Sequence, residues 1–384
     1  MYHILTNNII SNGKTLQGEA LLIDGSRIID RGTDIQKIPG VQVINLRHLV
    51  VMPGFIDTHV HGGAGFDVMD GTYESLEKIS AFKLEEGCTA FCPTTITAPP
   101  KITKKAIKNI RSSKERGVSG AKIIGAFIEG PYINAEYKGA HDQEHIRPVN
   151  LNEIKGLLEV GSGAVKSIAI APELTDAIPA IKTLTKMGIQ VRLGHTAATI
   201  EIAEAAIAAG ANAAIHTFNQ MSPIHHREPG MSGAVLSNEN IMAELICDLV
   251  HIHPKICKVL TKAKNGEGVI LVTDAMAAAG LSDGEYKLGG LTVQVSKGEP
   301  RMPNGALAGS TATMISCVRN MIQEVGVPFE VAVQMATATP AKTLGVFDTI
   351  GSLDIGKSAD IIGVDSSSYE VCFVMVDGII KKSA

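Results

Sequence analysis

Short apolar runs recur through the middle of the chain and alternate with segments of helical periodicity. The segment 201–210 is the clearest helix among them. Alternating strand and helix signals favour a parallel sheet whose strands are joined by helices. Eight strand–helix units predict a (β/α)8 barrel of the TIM type. The eight apolar runs span residues 54–58, 89–95, 122–129, 165–172, 190–195, 213–218, 243–248 and 269–274.

Both ends of the chain show a different pattern, of short strands separated by turns. Asp24-Gly25, between two of these strands, is a strong hairpin signal. Such short strands need a partner to close a core, so we expect residues 1–53 and 346–384 to build one small β-sandwich domain. The barrel would then span 54–345, with a β-hairpin inserted at about 281–303. The terminal strands are predicted at residues 20–25, 27–32, 41–44, 361–364 and 371–378.

Residues with metal-binding side chains follow five of the eight apolar runs. The first run leads into His59-Val60-His61, and residues i and i+2 of a strand face the same side. Both imidazoles can therefore point at one spot. Imidazole and carboxylate groups are common ligands of zinc and similar divalent metals. The other candidates are Glu129, His195, His216 and Asp274, which follow the third, fifth, sixth and eighth runs.

The barrel hypothesis and the candidate ligands agree with each other. A TIM barrel carries its active site at the C-terminal ends of its strands, where these five runs end. A single His-x-His pair is more often a surface feature than a metal site. Five candidates in series instead predict one metal-dependent active site at the barrel mouth.

Composition and charge narrow the function classes. The net charge of −4 and the absence of long charge runs give no sign of a nucleic-acid partner. No apolar segment reaches the length of a membrane-spanning helix, so we expect no membrane partner. The N-terminus lacks the layout of a signal peptide, and the six cysteines show no paired framework. These features favour a cytoplasmic location.

Seven motifs spread over nearly the whole chain are shared with a known family. They are Pro53-Gly54-Phe55-Ile56-Asp57-Thr58-His59-Val60-His61-Gly62, Glu129-Gly130-Pro131-Tyr132, Lys138-Gly139-Ala140-His141, Leu193-Gly194-His195-Thr196, His216-Thr217-Phe218-Asn219, Thr273-Asp274-Ala275-Met276 and Leu307-Ala308-Gly309-Ser310. On these residues the chain resembles the amidohydrolase superfamily, and within it the N-acetylglucosamine-6-phosphate deacetylases. The first motif marks only the superfamily. Glu129, where other members carry a modified lysine, argues against a dihydroorotase or hydantoinase.

The resemblance implies one or two divalent cations, of zinc, iron or manganese, in each subunit. His195, His216 and Glu129 would hold one cation. His59 and His61, with Glu129 as a bridge, would hold the second, as in the dinuclear members of the family. The two catalytic residues implied are Asp274, which would move a proton from water to the leaving nitrogen, and His141, which would donate to the acetyl carbonyl oxygen.

The resemblance also implies a substrate, N-acetylglucosamine 6-phosphate, hydrolysed to glucosamine 6-phosphate and acetate. Arg227 would bind the phosphate, because a guanidinium can donate two parallel hydrogen bonds to phosphate oxygens. A homodimer is expected, with the neighbouring subunit helping to hold the phosphate. Two other enzyme hypotheses stay open, a deacetylase of N-acetylgalactosamine 6-phosphate and another amidohydrolase, and so does an inactive scaffold on the same barrel. The remaining substrate contacts implied are Ala140, Asn219, Gln220, His251, Leu307, Ala308 and Gly309.

Overall fold

The two ends of the chain meet in one sheet beside the barrel. The computed structural model describes residues 1–35 and 38–383. Strand Val50–Pro53, which leads into the barrel, pairs with Asn8–Ser11 on one side and with Ile361–Val364 on the other. Apolar side chains from both termini fill the space between this sheet and a second one. The first sheet has the strand order Ile379–Lys382, Val371–Val376, Ile361–Val364, Val50–Pro53, Asn8–Ser11 and Lys14–Gln17, and the second has the order Arg27–Gly32, Ala20–Asp24, Tyr2–Leu5 and Gln42–Asn45.

The six-stranded sheet also packs against the barrel through its other face. Met52, Ile362 and Val374 from the sheet belong to the same buried cluster as Phe55 and Val333 from the barrel part of the chain. The two parts therefore share an apolar contact. The exact division into a small domain and a barrel stays a prediction.

Eight parallel strands in the described part of the chain form a barrel, which confirms the predicted TIM-type fold. Each strand pairs with the next along the chain. At the seam between the last strand and the first, the Asp274 amide donates to the His59 carbonyl at 3.0 Å and the His61 amide donates to the Ala275 carbonyl at 2.8 Å. The seam thus lies at the candidate ligands. The strands are Phe55–Val60, Cys88–Thr95, Lys122–Ile123 continued by Ala126–Ile128, Val165–Ile170, Gln190–Leu193, Ala213–Ala214, Met242–Ile246 and Val269–Val272.

Helices surround the barrel, and polar side chains define where several of them begin. Side-chain oxygens of Thr72, Asn150 and Thr199 accept a backbone amide in the first turn of the helix that follows. Within residues 1–35 and 38–383, every helix is too short or too polar to cross a membrane. The α-helices are Tyr73–Glu85, Pro100–Arg116, Leu151–Gly161, Ala177–Lys186, Ile200–Ala208, Gly230–Ser237, Pro254–Ala263, Met314–Asn320, Phe329–Ala336 and Ala338–Thr343, with a π-helical turn at Met321–Val325.

The segment predicted as a hairpin is a three-stranded antiparallel sheet at the barrel mouth. The third strand forms because the chain turns back at Lys297-Gly298 and pairs with the second. Leu288 packs in one buried cluster with Ile96 from the loop after the second barrel strand. The Asp67 carboxylate accepts the Gly289 amide at 2.8 Å and ties the insertion to the barrel. Its strands are Gly284–Leu288, Leu291–Ser296 and Glu299–Arg301.

A fully buried lysine joins the first barrel strand to the first helix. The Lys83 ammonium lies 2.6 Å from Oδ2 of Asp57 and also contacts the Glu86 carboxylate. Burial opposes the charged form, but the two carboxylates raise the pKa of Lys83 well above its ordinary value. Asp57 in turn accepts the amide of Thr273 at 3.2 Å. This cluster therefore holds the first and eighth strands together beneath His59.

We predict that Lys83→Met destabilises the fold by about 3–5 kcal/mol, because it leaves two buried carboxylates without their cation. The measurement is the midpoint of urea unfolding. Lys78→Met on the exposed face of the same helix is the matched control and should change it little. Equal midpoints for the two variants would contradict a structural role for the cluster.

Candidate active site

The candidate residues surround one cavity of about 290 Å³ at the C-terminal ends of the barrel strands. His59 lies directly beneath it and is fully buried, as is Ala308. Arg227 lines a separate cavity. Of the residues predicted from the sequence, the wall contains His61, Glu129, Ala140, His141, His195, His216, Asn219, Gln220, His251, Asp274, Leu307 and Gly309. Its other lining residues are Ile96, Gly139, Ile246, Leu288, Arg301 and Ala306.

The Glu129 carboxylate lies at the centre of the site and contacts imidazoles from three other strand ends. Its Oε1 lies 3.2 Å from Nε2 of both His195 and His216. Its Oε2 lies 2.9 Å from Nε2 of His61 and 3.4 Å from Nε2 of His59. Burial opposes ionisation, but the imidazoles, His59 foremost, hold the pKa of Glu129 well below its ordinary range. One ionised carboxylate thus offers a separate oxygen to each pair of histidines.

Backbone carbonyls fix the orientation of His195 and His216. Nδ1 of His195 lies 2.7 Å from the Tyr137 carbonyl oxygen, and Nδ1 of His216 lies 3.2 Å from that of Asn219. A carbonyl only accepts, so each Nδ1 carries the proton and each Nε2 presents a lone pair. The two Nε2 atoms are 3.0 Å apart. Two lone pairs this close to each other and to a carboxylate are a donor set that fits a divalent cation.

A second group of potential ligands lies on the other side of Glu129. Nε2 atoms of His59 and His61 are 3.3 Å apart, and Oδ1 of Asp274 is 3.3 Å from the latter. The ligand atoms of these three residues lie within 4.8 Å of one another. Burial opposes protonation, but Asp274 and Glu129 raise the pKa of His61 to about 9. A cation that enters this position therefore displaces a proton.

Three of the candidate metal-ligand and catalytic residues have a left-handed backbone. The φ angles are 46° at His195, 30° at His216 and 50° at Asp274. For residues other than glycine this conformation is uncommon and costs about 1–3 kcal/mol. All three side chains line the cavity. Unfavourable backbone geometry at these strand ends supports a functional role for the residues rather than a structural one.

Asp274 is an ionised carboxylate at the edge of the cavity. Burial opposes ionisation, but the adjacent His59 and His61 lower the pKa of Asp274 to about 2. Apart from Nε2 of His61 and of His59, at 3.3 and 3.5 Å, its Oδ1 has no polar partner among residues 1–35 and 38–383. The carboxylate is therefore free to accept a proton from a molecule bound in the cavity.

His141 presents a hydrogen-bond donor to the cavity. Its Nδ1 accepts the backbone amide of Thr97 at 3.3 Å and lies 2.7 Å from the Thr97 hydroxyl oxygen. Because Nδ1 accepts, the proton of the neutral ring is on Nε2, which faces Glu129 at 3.7 Å. Burial is the main cause that lowers the pKa of His141, so the ring is neutral at pH 7. A neutral N–H at this place can donate to an oxygen that gains negative charge.

Two groups that can carry positive charge line the cavity away from the Glu129 centre. Nδ1 of His251 lies 2.6 Å from Oδ2 of Asp248, and although burial opposes it, this carboxylate raises the pKa of His251. Arg301, on the inserted sheet, donates to the Gly305 carbonyl at 2.9 Å and pairs with Glu299 at 2.8 Å. The Arg301 pair is exposed, so redirecting the guanidinium to a ligand costs little. This end of the cavity suits an anionic group.

The structure does not bring Arg227 into the cavity of its own chain. Arg227 belongs to the exposed loop before helix Gly230–Ser237, and its Nη1 lies 2.7 Å from Nε2 of His226. The loop runs outside the end of the sixth strand. The Arg227 side chain lines another cavity, beside the helix that starts at Ile200. In this structure Arg227 therefore makes no contact with the cavity that contains Glu129.

Sequence reasoning missed several residues that shape the site. Arg192 and Glu244 are fully buried charged residues under the cavity. Both stand inside apolar strand runs, which is a signal that the sequence alone offers. Thr97, which orients His141, lies in the loop after the second barrel strand, and Arg301 lies on the third strand of the insertion. Neither belongs to a motif, so only the folded chain reveals them.

The barrel, the histidine–carboxylate centre and the matching family model define the class of protein. The amidohydrolase family model matches residues 50–381. The chain therefore belongs to the amidohydrolase family. Members of this family generally depend on divalent metals, in agreement with the candidate ligand groups described above.

Individual relatives are sugar-phosphate deacetylases. The chain is 42% identical to the N-acetylgalactosamine-6-phosphate deacetylase of Escherichia coli O157:H7, over 87% of this chain and 88% of the relative. It is 38% identical to the N-acetylglucosamine-6-phosphate deacetylase of Vibrio furnissii, over 95% and 91%. The crystal structure of N-acetylglucosamine-6-phosphate deacetylase from Pasteurella multocida superposes over 100% of both chains with a TM-score of 0.94 at 33% identity.

Proposed function

We propose that this protein hydrolyses the acetamide bond of N-acetylglucosamine 6-phosphate and releases acetate and glucosamine 6-phosphate. The observation that carries the proposal is the convergence of four histidines and two carboxylates, from five strand ends, around one cavity in a member of the amidohydrolase family. The direct test incubates the purified protein with the substrate and follows both products by NMR. Equimolar acetate and amino-sugar phosphate are expected, and an unchanged substrate would refute the proposal.

Two cation positions share Glu129. His195, His216 and Oε1 of Glu129 would hold one divalent ion, and His59, His61 and Oε2 of Glu129 would hold the second. The donor set suits zinc, iron or manganese. A bound divalent ion polarises the amide carbonyl and lowers the pKa of a coordinated water towards about 7.

The chain's own groups would move the protons. The Asp274 carboxylate would take a proton from the attacking water and deliver it to the departing nitrogen. The His141 Nε2–H would donate to the acetyl oxygen as negative charge develops there. Leu307, Ala308 and Gly309 would close the acetyl side of the cavity.

The phosphate would bind at the cationic end of the cavity. His251 and Arg301 supply charge from the same chain, and backbone groups of Asn219 and Gln220 would contribute hydrogen bonds. Arg227 would reach the phosphate from the partner subunit of a homodimer. The exposed apolar side chain of Ile224, on the same loop, supports burial of this loop in such an interface.

A specific observation favours a second candidate substrate, N-acetylgalactosamine 6-phosphate. The Escherichia coli relative with that activity in its name is the more similar of the two curated relatives described above, at 42% against 38% identity. The two sugars differ only in the configuration at C4. Comparison of kcat/KM for both epimers decides between them.

The six unpaired cysteines support a cytoplasmic location for either reaction.

We predict that activity depends on bound metal. Treatment with a chelator should abolish acetate release, and added zinc or manganese should restore it. His195→Ala or His216→Ala should lower kcat more than His59→Ala. In His59→Ala the position at His195 and His216 stays filled, and the cation there still activates water. Full turnover by protein shown to be metal-free would exclude the mechanism, and equal losses in the three variants would exclude the ranking.

We predict that Asp274→Asn folds and binds substrate but loses kcat by at least about 10²–10⁴-fold, because an amide cannot take up the proton. The acidic limb of the pH–rate profile should vanish from the residual activity. Asp176→Asn, at an exposed aspartate that makes no capping hydrogen bond, is the matched control. A near-normal kcat in metal-loaded Asp274→Asn would remove this residue from the proton path.

We predict that Arg227→Ala raises KM for the phosphorylated sugar roughly ten- to a hundredfold, since a lost charge-assisted contact costs ~1.5–3 kcal/mol. KM for unphosphorylated N-acetylglucosamine should change little. Mixed dimers of Arg227→Ala and Asp274→Asn chains should regain one site with a normal KM, because the intact Asp274 then meets the partner's intact arginine. Mixed dimers whose activity keeps the raised KM would place any role of Arg227 within its own chain.

A further inference from the structure

A buried ion pair lies beneath the cavity and belongs to none of the roles described so far. Arg192 from the fifth strand and Glu244 from the seventh are both fully buried, and Nη1 of the arginine contacts Oε1 of the glutamate. Nη1 also lies 3.3 Å from the Thr58 hydroxyl. Nε and Nη2 of Arg192 have no hydrogen-bond partner among the described residues. A guanidinium buried with only part of its donors satisfied is an unusual feature of a barrel core.

Stability alone does not explain this pair. Replacing a buried ion pair with well-packed apolar residues is often neutral or stabilising. The contacts of the pair instead lead to candidate ligands. Oε2 of Glu244 lies 3.0 Å from Nδ1 of His59 and accepts the His216 backbone amide at 3.4 Å. The Arg192 guanidinium lies 4.6 Å from the ring centroid of Phe127, which lies 4.9 Å from the ring centroid of His59 in an edge-to-face arrangement. Of the two imidazoles, Glu244 therefore contacts that of His59.

The two proposed cation positions differ in what holds their histidines. His195 and His216 are oriented by backbone carbonyls, at 2.7 and 3.2 Å. His61 has no partner for Nδ1 among the described residues. Of the His59 and His61 rings, only His59 has a partner for Nδ1 among the described residues, and that partner is the Glu244 carboxylate. Such outer contacts orient ligating histidines and increase their basicity.

We propose that Arg192 and Glu244 are a positioning pair for the cation position at His59 and His61. The position at His195 and His216 depends on them less, because Oε2 of Glu244 reaches it only through the His216 backbone amide, at 3.4 Å. This inference rests on the proposed two-cation site. Glu244 accepts the Nδ1 proton of His59 and leaves Nε2 with its lone pair towards Glu129. Arg192 holds Oε1 of Glu244, so that Oε2 faces the imidazole. Neither residue lines the cavity, so both act through other residues, His59 foremost.

Glu244→Gln is the sharpest single change. An amide can turn its NH2 group towards Nδ1 of His59, and the ring proton then moves to Nε2, where it blocks a cation. The double variant Arg192→Met with Glu244→Gln removes both charges, so it leaves no uncompensated ion in the core if the single variant folds poorly. Asp360→Asn is the matched control, because Asp360 is a buried carboxylate paired at 2.8 Å with Lys122, outside the cavity wall.

The experiment titrates metal-free protein with Zn²⁺ in a calorimeter, with folding checked by circular dichroism. The wild type should show two binding events, and His61→Asn identifies the event that belongs to the His59–His61 position. Glu244→Gln and the double variant should weaken that event about 10–100-fold and weaken the other much less. Asp360→Asn should leave both unchanged.

The possible results separate this inference from the proposed function. Folded variants with both events unchanged, or with both weakened alike, would overturn the positioning role while leaving the two-cation site in place. A wild type with a single event would remove the second cation position, and this inference with it. Selective loss of the one event supports the inference independently of any activity assay.

Discussion

The site depends on one buried carboxylate that is shared between two pairs of imidazoles. Glu129 ends the third strand, and its two oxygens face histidines from three other strand ends. A parallel barrel makes this possible, because it brings the C-terminal ends of all its strands to one mouth. Without a cation the carboxylate and the imidazoles hold protons between them. With a cation they would become ligands, and the fold already places them together for that role.

Charges beneath the mouth support this arrangement from two sides. The buried cluster of Lys83, Asp57 and Glu86 ties the first strand to the eighth below the site. Glu244, which is paired with Arg192, contacts Nδ1 of His59 from below. Ion pairs at such depth add little stability by themselves, and breaking them leaves a costly unpaired charge. Their position beneath the first strand indicates that these ion pairs serve to place His59 and His61 accurately rather than to stabilise the barrel core.

The barrel strands and the polar residues at their ends could be predicted from the sequence. The physical reason differs from one residue to the next. Apolar runs mark the barrel strands, and polar residues at their ends, such as His195 and Asp274, fall at the mouth in any parallel barrel. Periodicity does not reveal contacts between loops. Arg227 therefore gave a phosphate hypothesis with no indication that its loop faces away from the cavity of its own chain. Arg301 was missed because the third strand of the insertion, which carries it, gives a weak local signal.

The central claim is that Glu129 is the shared ligand of a metal centre, and anomalous diffraction from crystals grown with zinc tests it most directly. The account predicts one anomalous peak between Glu129, His195 and His216, and a second between Glu129, His59 and His61. A zinc-loaded, active crystal with no peak within ligand distance of Glu129 would contradict it.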